Sequence, residues 1–485
     1  MQEALQAMTG LAQEVLAGKM GLTVTQISLL PQSGSDRRYF RILTTHGSFI
    51  GTYNLNIREN ETFIYFSRHF RASDLRVPEI LGVSEDGRCY LQTDLGQTSL
   101  IDCLEQGGET HEVLELFKKS LYQLARLQVV GDSGLDYSKC LTAKEFGREA
   151  IMSDLLYFKY YLLDTLKQPY DKQAMLDDFE ALANYLTRTE YKFFMFRDFQ
   201  SRNIIINNGE PWFIDYQGGM KGAPQYDVAS MIWQARANLS DAWKQDLLHY
   251  YMDALEEQLG KKVDRAVFAS QYYGYVLIRL LQVLGAYGFR GLFERKAHFL
   301  SSIPMGLRNL KWFIENRSLP IHVPEFMRML TYMTTEACIS RFDPPKADEH
   351  TPLKIYINSF SYKKNGYPQD DSGNGGGFVF DMRGILNPGR IEQYKVLTGK
   401  DKEVIDYLEQ QTRMPDFMNS VLDLVDITVE DYMKRGFEKL MINFGCTGGQ
   451  HRSVYAAEQT ARHLRNKYRL KPAVQHLNQA NWVQE

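Results

Sequence analysis

The chain has 485 residues, 44% of them hydrophobic, enough to bury cores in two to four domains rather than one. Its 56 basic and 59 acidic side chains sum to −3, which excludes a global drive toward nucleic acid or an anionic membrane and leaves only local patches for such roles. The five cysteines, Cys89, Cys103, Cys140, Cys338 and Cys446, show no CxxC spacing, so neither a disulfide framework nor a zinc site is expected, and a reducing cytoplasm fits best.

Residues 1–21 alternate polar and apolar positions with helical spacing and lack the basic start and unbroken apolar core of a signal peptide. From Gln26 to about Asp94 the chain reads as a small α+β lobe: β-branched and aromatic runs such as Tyr39 to Thr44 and Ser48 to Tyr53, with a helix near Glu59 to Phe70. From about Leu100 to Leu330 the spacing is mainly helical, broken by a strand-turn-strand passage from Phe193 to Asp215. The most apolar stretch, Val267 to Gly288, is interrupted by Gln271, Arg279 and Gln282, which favours a buried helix over a membrane span. Proline and charge crowd Ser340 to Pro352, as in a linker. Beyond it a strand (Leu353 to Ser359), a glycine-rich loop (Lys363 to Gly377) and a closing strand, glycine loop and helix (Leu440 to Lys467) point to an α/β domain.

Two short segments carry chemistry suited to phosphoryl transfer, which needs a carboxylate near the accepting hydroxyl and oxygen ligands for Mg²⁺. In MFRDFQSRNIII, Asp198 and Asn203 lie five positions apart in a loop feeding a strand, and FIDYQGG places Asp215 at the end of another. A hairpin turning at Asn207, Asn208 and Gly209 would bring Asn203 and Asp215 together as metal ligands and leave Asp198 to orient the hydroxyl as base.

This D-x-x-x-x-N, hairpin and I-D order, followed by YDVAS with Asp227, resembles the aminoglycoside phosphotransferase family over about residues 20 to 330. SGSDRRYFRI, Ser33 to Ile42, is similar to the nucleotide loop of the cell-wall amino-sugar kinases within that family. The resemblance implies an ATP- and Mg-dependent small-molecule kinase acting on an alcohol group of a sugar or amino sugar. It assigns nucleotide contacts to Ser33, Gly34 and Ser35, the inter-lobe hinge to Thr93 and Leu95, and the bracing of the catalytic loop to Asp227. Two departures stand out: Phe196 occupies the usual His position two before Asp198, and SFIGTYN, Ser48 to Asn54, lacks the strand Lys that holds nucleotide phosphates. Arg38 or Arg41 is expected to supply that cation, with Glu59 and Glu61 of the next helix exposed. The aromatic helix around Gln271 to Tyr275 is expected to be core.

Near the C-terminal end, an apolar strand, Leu440 to Phe444, runs into a loop with three glycines and then a helix, a junction that aims backbone N–H groups at an anion. Arg452 offers a fork suited to phosphate and His451 a donor tunable near neutral pH. FGCTGGQHRSVYAAEQ, Phe444 to Gln459, together with FDMRGILNPG, Phe380 to Gly389, and LTGKD, Leu397 to Asp401, resembles the RapZ C-terminal domain over about residues 353 to 478. That resemblance implies a phosphosugar-sensing site at Gly445, Thr447, Gly448, Gly449, Gln450, His451, Arg452 and Ser453, with RNA as a further candidate partner. Cys446 with Arg452 and Ser453 also satisfies C-x5-R-[ST], the phosphate loop of cysteine phosphatases, though Gly445 replaces the usual preceding His. Binding without hydrolysis is therefore expected. Six basic residues from Arg452 to Lys471, against Glu458 alone, read as a solvated helix face or an RNA contact.

The expected architecture is an α+β protein-kinase-like two-lobed N-terminal domain, residues 1–335 with lobes at about 1–95 and 96–335. A linker, 336–352, and an α/β C-terminal domain, 353–485, follow. The cofactors are ATP and Mg, and no membrane partner is expected. A second reading makes the chain a weak or inactive kinase that serves as a metabolite-sensing or RNA-binding adaptor.

Overall fold

The computed structural model describes residues 2–30, 37–294, 297–370, 373 and 376–483. The chain divides into two compact units, Met1–Ile339 and Ser340–Glu485.

In the first unit, α1 (Gln2–Ala12) lies on a five-stranded antiparallel sheet of order β1-β2-β3-β5-β4, formed by β1 (Val24–Leu29), β2 (Arg38–Thr44), β3 (Gly47–Tyr53), β4 (Ile80–Val83) and β5 (Cys89–Thr93). Side chains alternate across a strand, so Phe40, Ile42, Phe49 and Tyr53 pack on Ala4, Met8 and Leu11 of α1. The opposite face receives α2 (Ile57–Ala72), which follows β3 and whose N-terminus is capped by the Asn56 side chain. From α2, Phe63 stacks on Tyr90 of β5 at 5.3 Å and on Tyr216 of the large lobe at 4.8 Å. Aromatic stacking thereby ties the two lobes beside the cleft.

The large lobe continues with α3 (Leu100–Gly107), entered through a capping box between Ser99 and Asp102, then α4 (His111–Asp132), α5 (Arg148–Phe158) and α6 (Lys172–Leu186). Four short strands follow: β6 (Phe193–Met195) pairs with β9 (Met220–Gly222), and β7 (Ile204–Asn207) with β8 (Glu210–Phe213). The β7–β8 turn holds Asn208 at φ +52° and Gly209 at φ +74°, the left-handed pair that a two-residue hairpin of this twist requires. Helices α7 (Gln225–Ile232), α8 (Asp241–Leu259), α9 (Arg265–Gly288) and α10 to α13 (Ala297–Leu300, Ile303–Asn316, Pro324–Met333 and Glu336–Ile339) complete the unit. Helix α9 is central, packed on α5, α6, α7 and α11, with Gln271, Tyr272, Tyr275 and Arg279 all buried. Among the described residues it belongs to the one helical stretch long and apolar enough to cross a membrane, Arg265–Phe293. Its tyrosine hydroxyls are bonded inside the lobe: Trp233 Nε1 donates to Tyr272 at 3.0 Å, and Tyr275 donates to Leu186 O at 2.9 Å.

The second unit contains β10 (Lys354–Ser361), β11 (Gly377–Asp381), α14 (Lys402–Gln411), α15 (Met414–Arg435), β12 (Lys439–Cys446), α16 (Arg452–Tyr468) and β13 (Ala473–His476). Its sheet is wholly parallel, in the order β11-β12-β10-β13. The two central strands are buried over most of their length, as expected for strands covered on both faces, and their apolar side chains form the core with α14, α15 and α16. The loop 447–451 leaves the carboxyl end of β12, the side on which such sheets take ligands. Residues 340–352 pack with this unit: the Ala347 N–H donates to Tyr468 O at 2.7 Å.

Candidate functional site

The loop after β6 is braced from beneath by Asp227, wholly buried at the start of α7. Its carboxylate accepts the backbone N–H of Phe196 at 2.7 Å and of Arg197 at 2.9 Å, and the Gln128 side-chain N–H at 3.0 Å. Burial pushes its pKa up to about 7, against the pull of those donors. Arg197 adopts a left-handed φ of +78°, a conformation that costs about 1–2 kcal/mol outside glycine and so needs such bracing. The Arg197 guanidinium pairs with Asp154 at 2.7 Å and lies over Phe146 and Tyr226. Phe196 fills its position by packing: the ring is buried edge-on against Phe199 at 5.2 Å and Tyr216 at 5.9 Å.

Above this support the three acidic and amide residues converge. The Asn203 amide donates to the Asp198 backbone oxygen at 2.9 Å and to Asp215 Oδ2 at 3.5 Å, which leaves its carbonyl oxygen as the remaining ligand atom. Asp215 stands at φ +70° and also accepts from Gln217 Nε2 at 3.0 Å. The half-exposed Asp198 carboxylate is touched by Arg279 of α9 at 3.3 Å. Among the described residues no group of three His, Cys, Asp or Glu could cage a metal by itself. An Asn–Asp pair that leaves further positions to phosphate oxygens and water is the donor set Mg²⁺ usually takes, so these residues fit that ion.

The cations differ from expectation. Arg41 is committed to Asp94, at 2.8 and 3.3 Å, and Ser48 donates to the same carboxylate at 2.8 Å. Arg38 has the strand parity of Phe40 and Ile42, the face covered by α1. Arg41 is thus engaged by Asp94, and Arg38 lies on the α1 side of the sheet. Arg37, not foreseen, sits between the lobes with its Nη2 on Asp215 at 2.8 Å and its Nε 3.6 Å from Glu59. Glu59 is correspondingly not exposed as expected: Asn54 Nδ2 donates to it at 2.8 Å, and only Glu61 faces solvent. At the crossing between lobes, the Thr93 N–H donates to Glu79 O and its hydroxyl accepts from the Glu79 N–H; Leu95 is buried. Ser33, Gly34 and Ser35 lie outside the described residues.

In the second unit, loop 445–453 curls over Cys446, whose sulfur accepts the Gly449 N–H at 3.1 Å and lies 3.1 Å from Ser453 Oγ. Arg452 is buried: Nη1 donates to Ile385 O at 2.6 Å and Arg383 O at 3.2 Å, Nη2 reaches Thr447 Oγ1 at 3.4 Å, and Nε has no hydrogen-bond partner. His451 is not a tunable donor. Its Nε2 is bonded to Tyr394 O at 2.8 Å, and burial lowers its pKa, so the ring is neutral and braces the loop. The Gln450 amide likewise faces away, donating to Lys395 O and Leu397 O. The three glycines have three explanations. A Cβ at Gly445 would run into the Phe360 and Tyr362 rings, Gly449 has φ +67° and crowds Asn478 and Ser361, but at Gly448 the space is open. Of the basic run, Arg452 is buried and Lys467 is paired with Asp426 at 2.7 Å, whereas Arg462, Arg465, Arg469 and Lys471 are exposed.

Residues 26–259 match the phosphotransferase enzyme family, and residues 353–480 match the RapZ C-terminal domain. A nucleotide-binding protein of Lactobacillus acidophilus is 36% identical over 155 residues, 32% of this chain and 49% of that protein. The chain thus spans about half the length of that relative, and it covers 38% of a Lactobacillus helveticus nucleotide-binding protein to which it is 42% identical over 117 residues. Among solved structures, a choline/ethanolamine kinase family protein of Mesorhizobium loti aligns at 14% identity and TM-score 0.44, covering 66% of this chain and 97% of its own. The first unit has the two-lobed α+β protein-kinase-like fold and the second is α/β. The chain therefore carries a phosphotransferase-family domain followed by a RapZ C-terminal domain.

Proposed function

We propose that the first unit transfers the γ-phosphoryl group of ATP to a hydroxyl of a sugar or amino sugar, and that loop 445–453 of the second unit binds the phosphate of a phosphosugar. The observation that carries the first half is the Asn203 amide, which joins the Asp198 loop to the Asp215 carboxylate within one hydrogen-bonded cluster. Asp198 takes the proton of the acceptor hydroxyl as its oxygen attacks phosphorus and the bond to ADP breaks. Arg279, buried against Asp198, orients that carboxylate. Asn203 and Asp215 would hold Mg²⁺, which when bound supplies charge neutralisation at the β and γ phosphates. The choice of a sugar rests on the likeness of Ser33 to Ile42 to the amino-sugar kinases, and the reducing cytoplasm on five free cysteines.

For the second half, the supporting features are the unpartnered Nε of buried Arg452 and the open approach at Gly448. Thr447 and Ser453 add hydroxyls to the same loop. By family resemblance RNA is a candidate partner, through the exposed Arg462, Arg465 and Arg469.

The deciding experiment follows ADP release from Mg²⁺-ATP with a panel of sugars and amino sugars. One acceptor should raise the rate well above the water background, and Asp215→Ala should abolish Mg²⁺-dependent nucleotide binding. If no acceptor raises it while the chain still binds nucleotide, the reading as a weak or inactive kinase serving as an adaptor takes its place.

A further inference from the structure

We propose that Arg37 is the cation that holds the nucleotide phosphates in the first unit, in place of the strand lysine that β3 lacks. The inference rests on the phosphotransferase reading above and specifies how its site manages without that residue.

The sheet register decides which side chains face the cleft. Gly51 of β3 backs onto Met8 of α1, and Phe49 and Tyr53 share that side, so Ser48, Ile50 and Thr52 face the other way. None of those three carries charge. Thr52 is aligned with Tyr39 of β2 and Tyr90 of β5, forming a row of uncharged side chains across the sheet. On β2 the same face presents Arg41 and Tyr39, and then Arg37 one step before the strand begins. Arg41 is neutralised by Asp94 at the far end of the cleft. Of the three arginines 37, 38 and 41, Arg37 is the one that reaches Asp215.

Its surroundings match the task. Glu59 comes from the helix over the sheet, where it is pinned by Asn54, while Asp215 is the proposed metal ligand. One guanidinium is thereby placed between a helix carboxylate and the metal-side carboxylate. Two polar groups here are buried without hydrogen-bond partners: Arg37 Nε, and the Oε1 of Gln217, whose other amide atom bonds Asp215. Buried polar groups are normally satisfied, so the unpartnered Gln217 Oε1 beside Asp215 marks a place completed by a ligand. A planar fork that meets Asp215 through Nη2 can exchange that contact for phosphate oxygens, to which arginine binds in the same geometry.

The test is calorimetric titration of the full chain with Mg²⁺-ATP and, separately, with adenosine, for wild type, Arg37→Ala and Arg37→Lys. A phosphate role requires that Arg37→Ala weaken ATP roughly ten- to a hundredfold and leave adenosine unchanged, with Arg37→Lys in between. The adenosine titration also reports that the variants are folded. Equal loss of ATP and adenosine affinity would show Arg37 to be only an inter-lobe brace. Unchanged ATP affinity in Arg37→Ala would likewise overturn the assignment while leaving the kinase reading intact. A wild-type chain that binds no ATP at all would remove both.

Discussion

Loop 445–453 of the second unit is built from one strand end, one turn and the start of one helix, whereas the first unit gathers its charged groups from the residue before β2, α2, the loop after β6, the segment after β8 and α9. The loop holds its shape by local means: a left-handed Gly449, a sulfur that accepts a loop N–H, and side chains of Gln450 and His451 that anchor it to neighbouring carbonyls. In the first unit the catalytic loop is held from a distance, by Asp227 at the start of α7. A site made of consecutive residues should tolerate remote changes. An assembled site should fail when its brace is cut.

The largest expected effect is at the centre of the assembled site. Asp198→Asn should leave ATP affinity nearly intact and lower turnover by about two to four orders of magnitude, the range for loss of a general base. Steady-state kinetics with the accepted sugar check this, and full turnover would mean that Asp198 is not the base. Next comes the brace. Asp227→Ala strands the N–H groups of Phe196 and Arg197 and the Gln128 amide in a buried setting, and should destabilise the first unit by about 3 kcal/mol. Denaturant unfolding reads the stability loss, and phosphosugar binding at the second unit should be untouched.

In the loop, Arg452→Ala should cost about 2–3 kcal/mol in phosphosugar affinity, as for loss of a charge-assisted bond, while Cys446→Ser changes little. Calorimetry with glucosamine 6-phosphate and its unphosphorylated parent separates a phosphate site from a sugar site. Release of inorganic phosphate that Cys446→Ser abolishes would turn the loop into a phosphatase. The smallest effect is in pH dependence. His451 is held neutral by burial, whereas in the unfolded chain it takes up a proton near its ordinary value of 6.5. The unfolded state then binds more protons, so this contribution is complete above that value and is lost as pH falls through it. His451→Gln should make the acid-side decline in melting temperature shallower without removing it, because buried His476 has a lowered pKa of the same origin.

Much of this was legible along the chain because it depends on local spacing. The β7–β8 turn follows from Asn208 and Gly209, which tolerate the left-handed region, and once that turn forms Asn203 and Asp215 must meet. The strand, glycine turn and helix around Cys446 are likewise written in nine neighbouring residues. Arg279 was visible only as a charge interrupting the most apolar stretch. Its role beside Asp198 depends on α9 running behind a loop 81 positions earlier in the sequence. That anomaly was the available signal, since a charge buried in an apolar helix needs a partner.

Side-chain identity in the loop suggested that His451 and Gln450 would meet an anion, yet residue type does not reveal which way a side chain turns. That was decided by carbonyls from residues 394–397, which no local rule brings near. Composition and periodicity thus determined two units, their classes, the meeting of Asn203 with Asp215 and the glycine loop, since these depend on contacts within about a dozen residues. Only the tertiary structure decided which arginine reaches Asp215. Arg37, Arg38 and Arg41 are chemically alike, and strand parity together with the positions of Asp94, Glu59 and Asp215, distant in sequence, sends each to a different neighbour.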